Sequence, residues 1–163
     1  MVGEPTAHPW RRPSHPFRVL VVDDQELVLR CTTRLLSDFE TVVAVSSAAK
    51  ALKMLENAEF DVVVSDVMMP GMSGPELYMR CHAHSPSTAD CFIFASGDPA
   101  AARRLIASAA RHVGAARVPP LFEKPTPREA LVAAVRSAAT HRVANSGTFS
   151  ALHDAPRVTK YRG

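Results

Sequence analysis

The 163-residue chain has few cysteines and no long hydrophobic run. Three cysteines (Cys31, Cys81, Cys91) cannot form an even disulfide framework. They sit within apolar patterns, so the expectation is buried thiols in a reducing, cytoplasmic setting. The purely apolar stretches are only a few residues long, which excludes a membrane span and a membrane partner. The N-terminus carries Pro5, Pro9, Pro13 and Pro16 and lacks the apolar core of a secretory signal. Internal repeats and low-complexity tracts are also missing, and Ala139–Gly163 shows no coiled-coil heptads. Only 23 residues follow Thr140, too few for a winged helix or a cyclase, so no effector domain is expected there.

Charge is unevenly spread. The chain has a net charge of +3, yet residues 18–140 hold 13 Lys/Arg against 14 Asp/Glu. The excess lies at the two ends. A basic tail can meet nucleic acid, but a solvated segment is the simpler reading, and nucleic acid is disfavoured as a partner. The expected organisation is a Pro-rich extension over 1–16, one folded domain over 17–141, and a basic, flexible tail over 142–163.

Within the domain, apolar runs alternate with helical periodicity. Strands are expected at Arg18–Val22, Thr41–Val45, Asp61–Ser65, Cys91–Ala95 and Val118–Phe122. Helices are expected at Gln25–Asp38, with Leu27, Val28, Cys31 and Leu35 facing inward, and at Ser47–Ala58, Pro75–His84, Pro99–Val113 and Pro127–His141. This alternation implies a parallel α/β sheet with helices on both faces, in the flavodoxin-like strand order 2-1-3-4-5.

The strand ends carry the chemistry. Asp23 and Asp24 close FRVLVVDD, Asp66 closes FDVVVSD, Ser96 closes DCFIFAS, and Lys124 follows VPPLFE. In a parallel sheet the strand C-termini open onto one crevice, where ligands bind. Three carboxylates, a hydroxyl and an ammonium gathered there suit a hard cation together with an anionic group. Each residue alone has a blander role: Asp23 or Asp24 as a helix cap, Asp66 and Ser96 as turn residues, Lys124 as a solvated cation.

The pieces VLVVDD, VVVSDVMMPGMSGPEL, FIFASG and FEKP, in that order, resemble the receiver domain of two-component response regulators over about Phe17–Thr140. The resemblance implies that Asp66 is a phosphoacceptor, taking a phosphoryl group from a sensor histidine kinase or a histidine phosphotransfer protein. Asp23, Asp24, Asp66 and the backbone carbonyl of Met68 would hold Mg²⁺, with Mn²⁺ as a substitute. Lys124 and Ser96 would contact phosphoryl oxygens, and the backbone N–H groups of Met68 and Gly97 would complete the cradle. The Lys124–Pro125 bond would be cis. The implied role is a stand-alone phosphorylation switch, enzymatic only towards its own phosphoryl group. It would dock a downstream protein through its fourth helix, fifth strand and fifth helix, and dimerisation on activation stays open. A phosphate-transfer intermediate and a receiver fragment of a hybrid kinase are the alternatives. A haloacid-dehalogenase-type phosphatase is a remote one, since its nucleophile ends the first strand.

Two departures from the family stand out. Leu121, beside Phe122, occupies the place of an aromatic that reorients on activation. Ser96 and Lys124 are 28 positions apart, which lengthens the fourth helix or its following loop. Arg103, Arg104 and Arg111 on that helix read as a solvated face. His82 and His84, two apart on a helix, do not share a face and make a poor metal pair.

Overall fold

The protein's structure, a computed structural model, describes residues 17–145. The expected extension over 1–16 and the part of the basic tail beyond 145 lie outside the described residues. Five parallel strands form one sheet: β1 (Arg18–Val22), β2 (Thr41–Val45), β3 (Val62–Asp66), β4 (Phe92–Ser96) and β5 (Leu121–Glu123). Their order is β2-β1-β3-β4-β5, as the flavodoxin-like reading requires. The helices are α1 (Glu26–Leu35), α2 (Ala48–Asn57), α3 (Gly74–His84), α4 (Pro86–Ala89), α5 (Pro99–His112) and α6 (Arg128–Asn145).

Successive strand residues point to opposite faces, so each run of Val, Leu and Phe feeds two cores. Leu20, Val63, Phe92 and Phe94 pack with Ala51, Leu77, Tyr78 and Ile106 from α2, α3 and α5. Val19, Val21, Val64 and Ile93 pack with Leu29, Leu131 and Val135 from α1 and α6. Because both faces are covered, the strands can be apolar throughout, and all five residues of β3 are buried.

Local sequence explains the helix ends. Ser47 caps α2 by accepting from Lys50 N. Ser73 and Glu76 form a reciprocal capping box on α3, with Pro75 in its first turn. Asp98 caps α5, accepting from Ala101 N at 3.0 Å. Gly114 (φ +67°) ends α5: its N–H bonds to Arg111 O, and Ala115 N–H reaches back to Ala110 O. This paired closure needs a left-handed residue, which glycine supplies.

Four expectations change. β5 starts at Leu121 rather than Val118, because Pro119 and Pro120 have no N–H to give a ladder. The four-residue α4 is additional, so the fourth and fifth helices expected from the sequence are α5 and α6. α6 continues to Asn145 and takes in Arg142, which the sequence reading placed in the flexible tail. Arg142 bonds to the Phe60 carbonyl and to Thr88 Oγ1 (2.8 Å), which ties the helix end to the loop before β3. Finally, α1 turns Leu29 inward and leaves Leu27 72% exposed. Cys31, one turn from Leu27, is exposed with it, while Cys81 and Cys91 are buried as expected.

Candidate functional site

Three strands deliver the charged residues to one edge. Asp23 follows β1 and is 3% exposed; Asp66 ends β3 and is 8% exposed. Lys124 follows β5, and the Lys124–Pro125 bond is cis, as expected. The Lys124 ammonium reaches across the sheet edge and donates to both carboxylates, 2.5 Å to Asp23 Oδ2 and 2.6 Å to Asp66 Oδ1. The second oxygen of Asp23 is also occupied: Oδ1 accepts the Gln25 N–H at 2.9 Å. Asp23 thus closes the turn into α1 and holds Lys124 at once, so its capping role and its site role coexist. Asp24 is exposed beside them and close enough to Asp66 to act on it electrostatically.

The electrostatics follow from this crowding. Burial raises the Asp66 pKa above the usual carboxylate value; Lys124 opposes the rise, and Asp23 and Asp24 add to it. Burial lowers the Lys124 pKa, but its bonds to Asp23 and Asp66 outweigh that, so its net shift is upward. The cluster is therefore an acid in need of a cation, with one ammonium serving two carboxylates.

The other predicted residues surround Asp66 less closely. Ser96 is buried at the end of β4, and its hydroxyl engages the Asp98 backbone: it donates to Asp98 O (3.3 Å) and accepts from Asp98 N (3.1 Å). Gly97 is exposed, with open space where a Cβ would stand. Met68 is 61% exposed, its side chain out in solvent two residues beyond Asp66. Leu121 is half-buried, pairs in register with Phe94 and packs on the α2/α3/α5 core. Phe122 packs on the opposite core. Neither side chain stands in for a surface aromatic poised between two positions.

Two supporting residues escaped the sequence reading. A Cβ added at Gly74 would lie 2.1 Å from the Asp66 backbone oxygen and 3.0 Å from Ser65 Oγ. Only glycine lets α3 begin so close to the end of β3. Ser65, fully buried, donates to that same Asp66 oxygen at 2.8 Å. The signal for Gly74 was present in PGMSG, but both glycines there read equally well as turn residues.

For a metal the donor set is suitable in kind: carboxylate oxygens of Asp23, Asp24 and Asp66, plus backbone carbonyls of the following loop, are the hard ligands Mg²⁺ prefers. Among the described residues no three His, Cys, Asp or Glu side chains form a ready cage. Lys124 stands where the two buried carboxylates converge.

Comparison with known proteins gives one answer. A sequence model of the response regulator receiver domain matches residues 19–136. The signal receiver domain of an HD domain-containing protein from Pseudomonas fluorescens Pf-5 has a similar structure. Its TM-score is 0.69 at 33% identity, covering 80% of this chain and 99% of that one. Among curated proteins, the response regulator GacA of Pseudomonas viridiflava is 35% identical over 101 residues, which is 60% of this chain and 47% of GacA. The sensor kinase CckA of Brucella abortus is 37% identical over 94 residues, 56% of this chain but 10% of the kinase. The chain thus spans less than half the length of these curated relatives.

Proposed function

The chain belongs to the response regulator receiver domain family, and we propose that it is a phosphorylation switch whose acceptor is Asp66. One observation carries this reading: Lys124 bridges Asp23 and Asp66 across the sheet edge. That arrangement holds an acceptor carboxylate, a second carboxylate for a cation and an ammonium at a single point.

In the proposed reaction, a carboxylate oxygen of Asp66 attacks the phosphorus of a phosphohistidine on a sensor kinase or phosphotransfer protein. A P–O bond forms, the P–N bond breaks, and the imidazole leaves with the electron pair and takes up a proton. The product is an aspartyl phosphate. Asp23, Asp24, Asp66 and the Met68 carbonyl would hold Mg²⁺, which supplies charge neutralisation for the transferring group. Lys124, released from the carboxylates, pairs with a phosphoryl oxygen. The Ser96 hydroxyl, now bonded to the Asp98 backbone, turns to donate to another. The N–H groups of Met68 and Gly97 complete the cradle.

The output is docking of a protein partner on the face of α5, β5 and α6. Leu121 packs inward there, so the readout runs through the Ser96–Asp98 segment and the start of α5 rather than through an aromatic side chain. The switch domain is taken as 17–141, with α6 extending beyond it. The test is intact mass after incubation with acetyl phosphate and Mg²⁺. One added phosphoryl group, absent with EDTA, supports the reading. An unmodified, folded protein would mean that this domain signals by binding alone.

A further inference from the structure

At the strand N-termini, the edge opposite Asp66, α4, residues 116–120 and α6 enclose a groove of about 640 Å³. Small-molecule sites commonly measure about 300–1,000 Å³. Its apolar lining includes Phe92, Ala134 and Ala138. Tyr78 of α3 also lines it and is 1% exposed. The Tyr78 hydroxyl makes no hydrogen bond to a described residue, yet no fully buried side-chain oxygen or nitrogen lacks a partner. The phenolic oxygen therefore keeps its small exposure towards the groove, as an unused donor in an otherwise buried side chain.

Two charges of opposite sign also line the groove. Asp90 and Arg117 are both exposed, and neither is in an ion pair with a described residue. Asp90 is near enough to Tyr78 to act on its phenol. Arg142, by contrast, is committed to the Phe60 carbonyl and Thr88. His141 is exposed in the same lining. A ligand that meets Asp90, Arg117 and Tyr78 has an apolar body for the Phe92–Ala134–Ala138 lining and an ammonium for Asp90. It also has a carboxylate for Arg117 and the Tyr78 hydroxyl.

We propose that this groove binds the zwitterion of an apolar α-amino acid. It is remote from the phosphorylation chemistry and independent of it.

The test is a titration of the ¹⁵N-labelled full chain with L-phenylalanine, followed by amide chemical shifts. Saturable shifts are expected at Tyr78, Asp90, Arg117, Ala134 and Ala138. 3-Phenylpropionate, which lacks the ammonium, and phenethylamine, which lacks the carboxylate, should each bind about fivefold more weakly. Asp90→Asn and Arg117→Gln should weaken L-phenylalanine by about the same factor. Ala134→Trp should fill the groove and abolish binding. Should that variant fail to fold, the two exposed-site variants decide alone. Non-saturating shifts, shifts centred elsewhere, or a truncated analogue binding as tightly as L-phenylalanine would overturn the proposal.

Discussion

A Cβ at residue 74 would stand 2.1 Å from the backbone oxygen of Asp66, so the start of α3 and the end of β3 touch without an intervening side chain. Gly74 N–H donates to Val67 O at 3.0 Å, fixing the approach. Gly74→Ala should therefore push α3 and the Asp66 backbone apart. Overpacking of this kind costs about 1–3 kcal/mol. The expected outcome is a lower melting temperature together with slower phosphorylation by acetyl phosphate. An unchanged melt would mean that the two elements separate freely.

Asp66 is held ionised at a cost. Burial raises its pKa; Lys124 opposes the rise without cancelling it, and Asp23 and Asp24 add smaller increments. For an acid whose folded pKa is raised, the native state binds the extra proton. Stability from this group therefore falls as pH rises from the unfolded value of 3.8 through the folded one. Asp66→Asn removes the charge and should raise the melting temperature in EDTA at neutral pH, with the gain shrinking below pH 4. Lys124 carries the opposite sign: its raised pKa stabilises the fold up to its unfolded value of 10.5 and is lost above it. Melts of both proteins from pH 3 to 11 check this; an Asn variant less stable at pH 7 would contradict it.

The strand ends were legible in the sequence because apolar runs terminating in Asp23, Asp66 and Ser96 can be placed in a parallel sheet by topology alone. Position 74 was not, since its requirement comes from a backbone 8 residues away rather than from any local pattern. The inward face of α1 was legible only in part: Leu35 packs on the core as expected, whereas Leu27 and Cys31 are exposed. Leu27, Val28, Cys31 and Leu35 match a helical period as well as Leu29 does, and only packing against the strands selects Leu29. Arg142 escaped because a basic residue near a chain end reads as solvated. Its partners are a carbonyl 82 positions away and a hydroxyl 54 away.

Cysteine reactivity separates the two readings of α1. Burial pushes the Cys81 and Cys91 thiols up to about 11, whereas Cys31 is exposed. The thiolate is the reactive form. Iodoacetamide at pH 8 should modify Cys31 alone in the native protein and all three residues in guanidinium. Early labelling of Cys81 or Cys91 would show that α3 or the start of β4 opens readily.

Arg142 anchors α6. Its guanidinium serves the Phe60 carbonyl and Thr88 Oγ1, and its side chain is only 12% exposed. Arg142→Ala leaves the carbonyl without this partner and should cost about 1–3 kcal/mol. Hydrogen exchange should show the loss concentrated at the C-terminal turns of α6. A uniform effect over the whole domain, or none, would argue against the anchor.

The central claim is that Asp66 accepts the phosphoryl group. Borohydride reduces an aspartyl phosphate to homoserine, which peptide mass mapping can locate. After treatment with acetyl phosphate and Mg²⁺ and then borohydride, homoserine is predicted at position 66 and nowhere else. Homoserine at Asp23 or Asp24, or a phosphorylated protein with none at position 66, would contradict the account.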